Sequence, residues 1–255
     1  LQDGKIVYRS DRVVQYGLIG QEAPYKKLGN AFSGQAGQEI IPGKNDLLEV
    51  RSYDPLELPG LTWGMISTMS LEDAINPRFE RKGDYFTRYN KQYSYEDLLL
   101  IHPQGEIFYT VAHNADYGTN ILTGEYSDSN LSTLIRKVLE TKQFEITDFA
   151  LYAPDNNEPS AFIAQPVANE DKVEVVVALK LSIDSINRMM LERSGMGKTG
   201  ETYLIGSDRL PRSDAFREPV KHSVRGAFMS PITGRIDTIA TQSALSGKTG
   251  ASIIQ

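Results

Sequence analysis

Apolar and polar positions along this chain follow two rhythms, and the change from one to the other marks its elements. Residues 98–101 and 107–111 are short apolar runs on either side of Pro103-Gln104-Gly105 and predict a hairpin about a glycine turn. Leu131, Leu134, Ile135, Val138 and Leu139 then recur at helical spacing and mark one face of a helix. Residues 146–152, 161–167 and the β-branched run 173–181 predict three further strands, separated by proline and asparagine turn signals. The order strand, strand, helix, strand, strand, strand gives an α+β unit. Its last three strands form an antiparallel meander, and helices must cover a face of the sheet.

Two linking helices are expected. Over residues 77–93, Phe79, Phe86 and Tyr93 lie seven apart with Tyr89 beside them, an aromatic stripe suited to its own sheet or to a neighbouring helix. Ser182 is placed to cap the second, whose Ile183, Ile186, Met189 and Met190 are expected on one apolar face. Residues 46–53 and 61–68 predict consecutive strands broken by Pro55 and Pro59-Gly60.

The chain also repeats itself. Turns flanked by apolar residues recur at Asp3-Gly4, at Gln104-Gly105 and at Ser207-Asp208, and the first and third run into Arg-Ser-Asp at Arg9 and Arg212. The segment 31–41 echoes 244–254. Three units follow: 1–76, 77–194 with its long helix, and 195–255. The third ends before its later strands, so the chain is expected to be a fragment.

Composition narrows the chemistry. The 255 residues are 40% hydrophobic and 24% charged, with 27 basic and 33 acidic side chains and a net charge of −6. No basic run is interleaved with aromatics, which argues against a nucleic-acid groove. The absence of cysteine removes disulfides, thiolate metal sites and cysteine nucleophiles. His102, His113 and His222 share no metal-ligand spacing, and no Ser, His and acid constellation assembles, so neither a metal nor catalysis is expected. No cofactor is expected either, although a haem would need an axial ligand such as His113. Asp155-Asn156-Asn157-Glu158 lacks the alternate ligands of a calcium loop and suits a hairpin turn. Gly195-Met196-Gly197-Lys198-Thr199 invites a phosphate-loop reading, but Glu192 stands where a glycine is required and a helix precedes it instead of a strand. Gln242 spoils the Gly247-Lys248-Thr249 copy in the same way.

Several of these segments resemble a known family. Tyr95 through Gly105, Ala115-Asp116-Tyr117-Gly118-Thr119-Asn120, Leu122-Thr123-Gly124, Asp148-Phe149, Tyr152-Ala153-Pro154 and Pro159 through Ala164 are similar to the membrane-distal half of double Cache sensor domains. Residues 195–214 resemble the passage into the membrane-proximal half, and Tyr53-Asp54-Pro55-Leu56 with Gly60-Leu61-Thr62-Trp63 its last strands. Proximal-type sequence here precedes the distal-type unit. The resemblance implies tandem PAS-like (Cache) modules, each an antiparallel five-stranded sheet with helices on its faces, joined by long helices. It further implies the extracytoplasmic (periplasmic) sensing part of a chemoreceptor, sensor histidine kinase or cyclase anchored in the inner membrane. The aromatic-Arg-aromatic signature of the amino-acid-binding subgroup is absent before the first strand, Arg88-Tyr89 being a partial match, so the resemblance leaves the ligand class open.

A ligand is therefore expected between the strands 146–152 and 161–167 and the helical cover over them. Tyr109, Asp148, Tyr152, Phe162 and Gln165 are the candidates, joined by Arg88 from the long helix, with Asp148 offering charge and the aromatics contact area. From Tyr95 to Lys180 five basic residues face fourteen acidic ones, about −9, against about +3 elsewhere. An anion would need Arg88 or Lys91 to approach that field, so an amine-bearing or neutral ligand is favoured. The alternative is a module that binds no ligand and serves to space or dimerise a receptor through the long helix.

Overall fold

The structure is a computed structural model that describes residues 34–43, 47–76 and 84–251. The expected turn at Asp3, the Arg9 segment, the start of the 31–41 repeat, Asp46, residues 77–83 of the linking helix and residues 252–255 lie outside the described residues. The chain divides into two compact units, Leu1–Asp84 and Tyr85–Gln255, and its architecture is α+β with antiparallel sheets.

In the first unit β1 (Gly37–Pro42), β2 (Leu48–Leu58) and β3 (Leu61–Ser70) form a meander in the order β1-β2-β3. Pro59-Gly60 makes the tight turn expected, closed by the Leu58–Leu61 pair, with Gly60 at φ +75° where a Cβ would be strained. Pro55 does not break the strand as anticipated. The ladder to β1 ends at Gly37–Tyr53, whereas β2 and β3 continue past Pro55, paired with Gly64, as a two-stranded ribbon. Ser70 caps the short α1 (Leu71–Ile75) by accepting the Asp73 N–H.

The second unit opens with α2 (Tyr85–Tyr93). The strands that follow are β4 (Asp97–Ile101), β5 (Ile107–Thr110), β6 (Glu145–Ile146), β7 (Ala150–Tyr152), β8 (Glu158–Ser160), β9 (Phe162–Asn169) and β10 (Lys172–Lys180). Five of them form an antiparallel sheet in the order β5-β4-β10-β9-β6, with the predicted β-branched run as its central strand. Between β5 and β6 runs α3 (Asn130–Thr141), capped by Ser129, and it buries Leu131, Leu134, Ile135 and Val138 as their spacing predicts. These meet Leu99, Ile101, Ile107, Phe162, Ala164, Val176 and Ala178 from one face of the sheet. Each fully buried Leu, Ile or Val contributes about 1.5–3 kcal/mol.

The strand expected over residues 146–152 is two strands in different sheets. After Ile146 the chain leaves the main sheet, and Ala150–Tyr152 pairs only with β8. The reason is tertiary: Phe149 turns away to bury itself against Phe228, ring centroids 6.4 Å apart. Phe228 belongs to residues 191–251, which hold α5 (Val224–Met229), α6 (Pro231–Gly234) and α7 (Ile239–Leu245). Apart from an isolated bridge between Ile205 and Pro211, no extended pairing occurs among these described residues. A second core of Phe149, Ala161, Ile183, Leu210, Val224, Ala227 and Phe228 ties this segment to the sheet. The helix α4 (Ile183–Met190) is capped by Ser182 as expected, but its apolar face is displaced. Asn187 is buried there, bonded to Asp214 in both directions, while Met189 is 70% exposed.

Candidate ligand site

Strand register decides which side chains meet. Directly paired residues share a face, so Asp97, Lys180 and Phe162 form one row, next to the row of Leu99, Ala178 and Ala164. This face lies under α3. At its end two charged residues close otherwise apolar strands, and the segment 111–118 and the hairpin β7–β8 meet over them, the Ala115 N–H donating to the Pro154 carbonyl.

Asp97 is 2% exposed, and its Oδ1 accepts the N–H groups of Leu98, Val111 and Ala112 at 2.7–2.9 Å. Burial pushes its carboxyl up to about 6 against the pull of those donors, with the Asp116 charge adding to the rise. Lys180, 2% exposed, pairs with Asp155 and, at 3.5 Å, with Glu96, whose carboxyl burial raises. Asp116 is 1% exposed. Its Oδ2 accepts the Tyr152 hydroxyl at 2.6 Å, its buried Oδ1 has no partner from another residue, and the residue's own backbone N–H also steadies the carboxylate. Burial raises the Asp116 carboxyl more than those hydrogen bonds lower it, and burial beside Asp116 raises the Tyr152 phenol. Tyr152 stands edge-on to Phe162 at 5.0 Å. His113, in the left-handed region at φ 52°, has its ring 4.6 Å from that of Tyr117.

The six residues expected from the sequence fall into separate places. Tyr152 and Phe162 lie together in this buried end. Tyr109 and Gln165 do not: a bulge between Leu100 and Ile101 sets Tyr109 opposite Leu100, in one row with Val177 and Gln165 on the reverse face. There Tyr109 packs on Phe86 of α2, ring centroids 5.2 Å apart, and Gln165 is exposed. Arg88 projects from α2 and is exposed. Asp148 is held by Arg212 through two bonds of 2.6 and 2.7 Å, which keep its carboxyl below the usual range despite partial burial. Sequence reasoning did not place Asp97, Asp116, Glu96 or Lys180 at a site, and weighed Asp155 only as a calcium oxygen and a turn residue. The available signal was a charge closing each apolar strand, Asp97 before Leu98-Leu99-Leu100-Ile101 and Lys180 after Val175 through Leu179.

Among the described residues no group of three or more His, Asp and Glu is arranged to hold a metal ion. Asp155-Asn156-Asn157 lies in the turn between β7 and β8, with Asn156 and Asn157 at positive φ, and Glu158 opens β8. At the Gly195–Thr199 segment the carbonyls of Gly197 and Lys198, with that of the next residue Gly200, converge on the Arg193 guanidinium, which also lies 3.6 Å from the Phe216 ring centre. Converging carbonyls offer acceptors, the reverse polarity of a phosphate cradle.

No protein-family model matches this chain, and no curated protein matches it. Solved structures do. The sensor domain of the Vibrio cholerae histidine kinase DctB is 15% identical over 51% of this chain and 45% of its own, with a TM-score of 0.36. The ligand-binding domain of the Pseudomonas fluorescens chemoreceptor CtaA, solved with L-isoleucine, is 13% identical over 55% and 53%, with a TM-score of 0.36. The sensory domain of the Campylobacter jejuni chemoreceptor Tlp3 is 11% identical over 63% and 57%, with a TM-score of 0.39. The chain thus spans about half the length of these solved chains. All three are sensor domains of chemoreceptors or histidine kinases. Among the described residues no helix is long and apolar enough to cross a membrane.

Proposed function

We propose that this chain is the extracytoplasmic small-molecule-sensing part of a bacterial transmembrane receptor, without catalytic activity, that relays ligand binding to a cytoplasmic output. The observation that carries the proposal is the buried end of the sheet, where Asp97, Asp116, Tyr152 and Lys180 gather beneath two loops and one carboxylate oxygen has no donor from another residue. Buried polar atoms without partners are rare in folded proteins and need an explanation. A ligand group arriving between the loops supplies one. The excess of carboxylates there favours an amine-bearing or neutral ligand. The assignment of 1–76, 77–194 and 195–255 as successive PAS-like modules belongs to this proposal, as do the periplasmic location and the homodimer through the long helix.

A thermal-shift screen of amino acids, amines, organic acids and nucleobases tests the reading. A well-saturated ligand raises the melting temperature by several degrees through linkage, and a screen in which no compound shifts it counts against sensing. The second reading, a dimerising spacer, is favoured by the exposed Tyr85 and Tyr93 of α2, at 61% and 56%. It requires that a silent screen accompany a dimer that Tyr85→Glu with Tyr93→Glu dissociates in sedimentation.

A further inference from the structure

We propose that the exposed face of the sheet formed by β1, β2 and β3 is an interface between two copies of this chain. Paired residues share a face, so the register settles which side chains stand together. One face sets Leu56 beside Trp63 and Leu58 beside Leu61 at one end, and Ile40, Val50 and Met69 in a row at the other. Apart from the half-buried Val50, these residues and Met65 are 38% to 51% exposed. The opposite face carries Glu39, Glu49 and Arg51 and is the more enclosed, Arg51 being 4% exposed. A one-sided sheet in water ordinarily turns its polar face out. Here the exposed face is the more apolar one, and its seven open residues present roughly 700 Å², above the ~300–600 Å² of the largest apolar patch on a typical monomer.

The polarity along this face selects a second copy as its occupant. Between the apolar ends lies a polar waist of Gln38, Ser52, Ser67 and Asp54, and among the described residues of the face Asp54 alone is charged. A partner recognised by charge has almost nothing to read there. A two-fold axis through the waist lays the end holding Leu56 and Trp63 on the partner's end holding Ile40 and Met69. Waist then meets waist, and the pattern is self-complementary as an isologous contact requires. The roughly 700 Å² that each copy brings is close to the ~800 Å² a side of a stable interface. Tryptophan and methionine are also among the residue types enriched at the centre of such contacts. The face belongs to a different compact unit from the aromatic stripe of α2, so mutation separates the two surfaces.

Trp63 is the only tryptophan of the chain, so its emission reads this face directly. Sedimentation velocity and tryptophan fluorescence over a dilution series test the proposal, on the full chain and on its Tyr85→Glu, Tyr93→Glu variant, which removes any contact through α2. Both form a reversible dimer, and Trp63 emission moves to the blue and gains protection from acrylamide as the dimer forms. Met65→Arg with Met69→Arg weakens the dimer by about tenfold or more and keeps Trp63 emission red-shifted across the series. Ser67→Arg weakens it comparably, because each guanidinium then meets its own image across the axis. If the arginine variants fail to fold, the dilution series on the unsubstituted chain decides. A chain that stays monomeric through the micromolar range, a dimer that the arginine variants leave intact, or emission that is the same in monomer and dimer would overturn the proposal. Emission already blue and protected in a dilute monomer would assign the face to another part of the same chain, and a blue shift that requires anionic vesicles would assign it to lipid. Either result overturns the second copy.

Discussion

Replacing Lys180 with methionine isolates the charge balance of the buried end. The methionine keeps an apolar stem of similar length and removes the ammonium that Asp155 and Glu96 share. At about 4 Å and an effective dielectric near 20, one such pair is worth about 4 kcal/mol of attraction. Glu96 and Asp155 keep 34% and 20% of their side-chain surface in water, so loss of the buried ammonium costs about 1–3 kcal/mol. For a unit of this size each kcal/mol moves the melting temperature by about 2–4 °C, so Lys180→Met should lower it by about 5 °C. The loss should carry a pH signature. Burial already raises the Glu96 carboxyl, and loss of the ammonium raises it further. A raised carboxylate stabilises below its unfolded value, and that contribution disappears as pH rises through the folded value. The variant should therefore approach wild type at acid pH and fall behind it towards neutral pH. Differential scanning calorimetry across that range provides the measurement. A drop smaller than about 2 °C, or one independent of pH, would refute the charge balance described here.

Asp97, raised from 3.8 to about 6 by burial, contributes stability below about pH 4 that is lost as pH rises through 6. The amount is on the order of 3 kcal/mol, and Asp97→Asn should flatten that part of the stability profile in urea titrations. Gly105→Ala should lower stability by more than about 1 kcal/mol, because Gly105 sits at φ +102° and a Cβ would come within 2.5 Å of Asn120 Oδ1 and 2.8 Å of Leu122 Cγ. A melting temperature equal to wild type would refute that geometry. Asp148→Asn should loosen the 204–213 segment that Arg212 fastens and speed its cleavage in limited proteolysis, with a stability loss of about 1–3 kcal/mol. Met189→Gln should change stability by less than about 0.5 kcal/mol, whereas an equivalent change at Ile183 should cost several times more.

What the sequence determined by itself is the part of this protein that depends on neighbours in the chain. The Leu131, Leu134, Ile135 and Val138 face of α3, the cap at Ser182, the turn at Pro59-Gly60 and the run that became β10 each follow from local periodicity or from one residue's backbone preference. Tertiary structure decided the rest. One extra residue in β5 turned Tyr109 to the reverse face, since a strand's side chains alternate and a single-residue shift inverts them. Asp148 met Arg212 across 64 positions, and Tyr152 met Asp116 across 36. No period in the sequence encodes those distances, because a side-chain ion pair or hydrogen bond fixes a separation in space and leaves the number of intervening residues free. The buried charges at the end of the sheet became a site for the same reason. Their strands are local, but the row that aligns Asp97 with Lys180, and the loops that enclose them with Asp116, exist only once the sheet has closed.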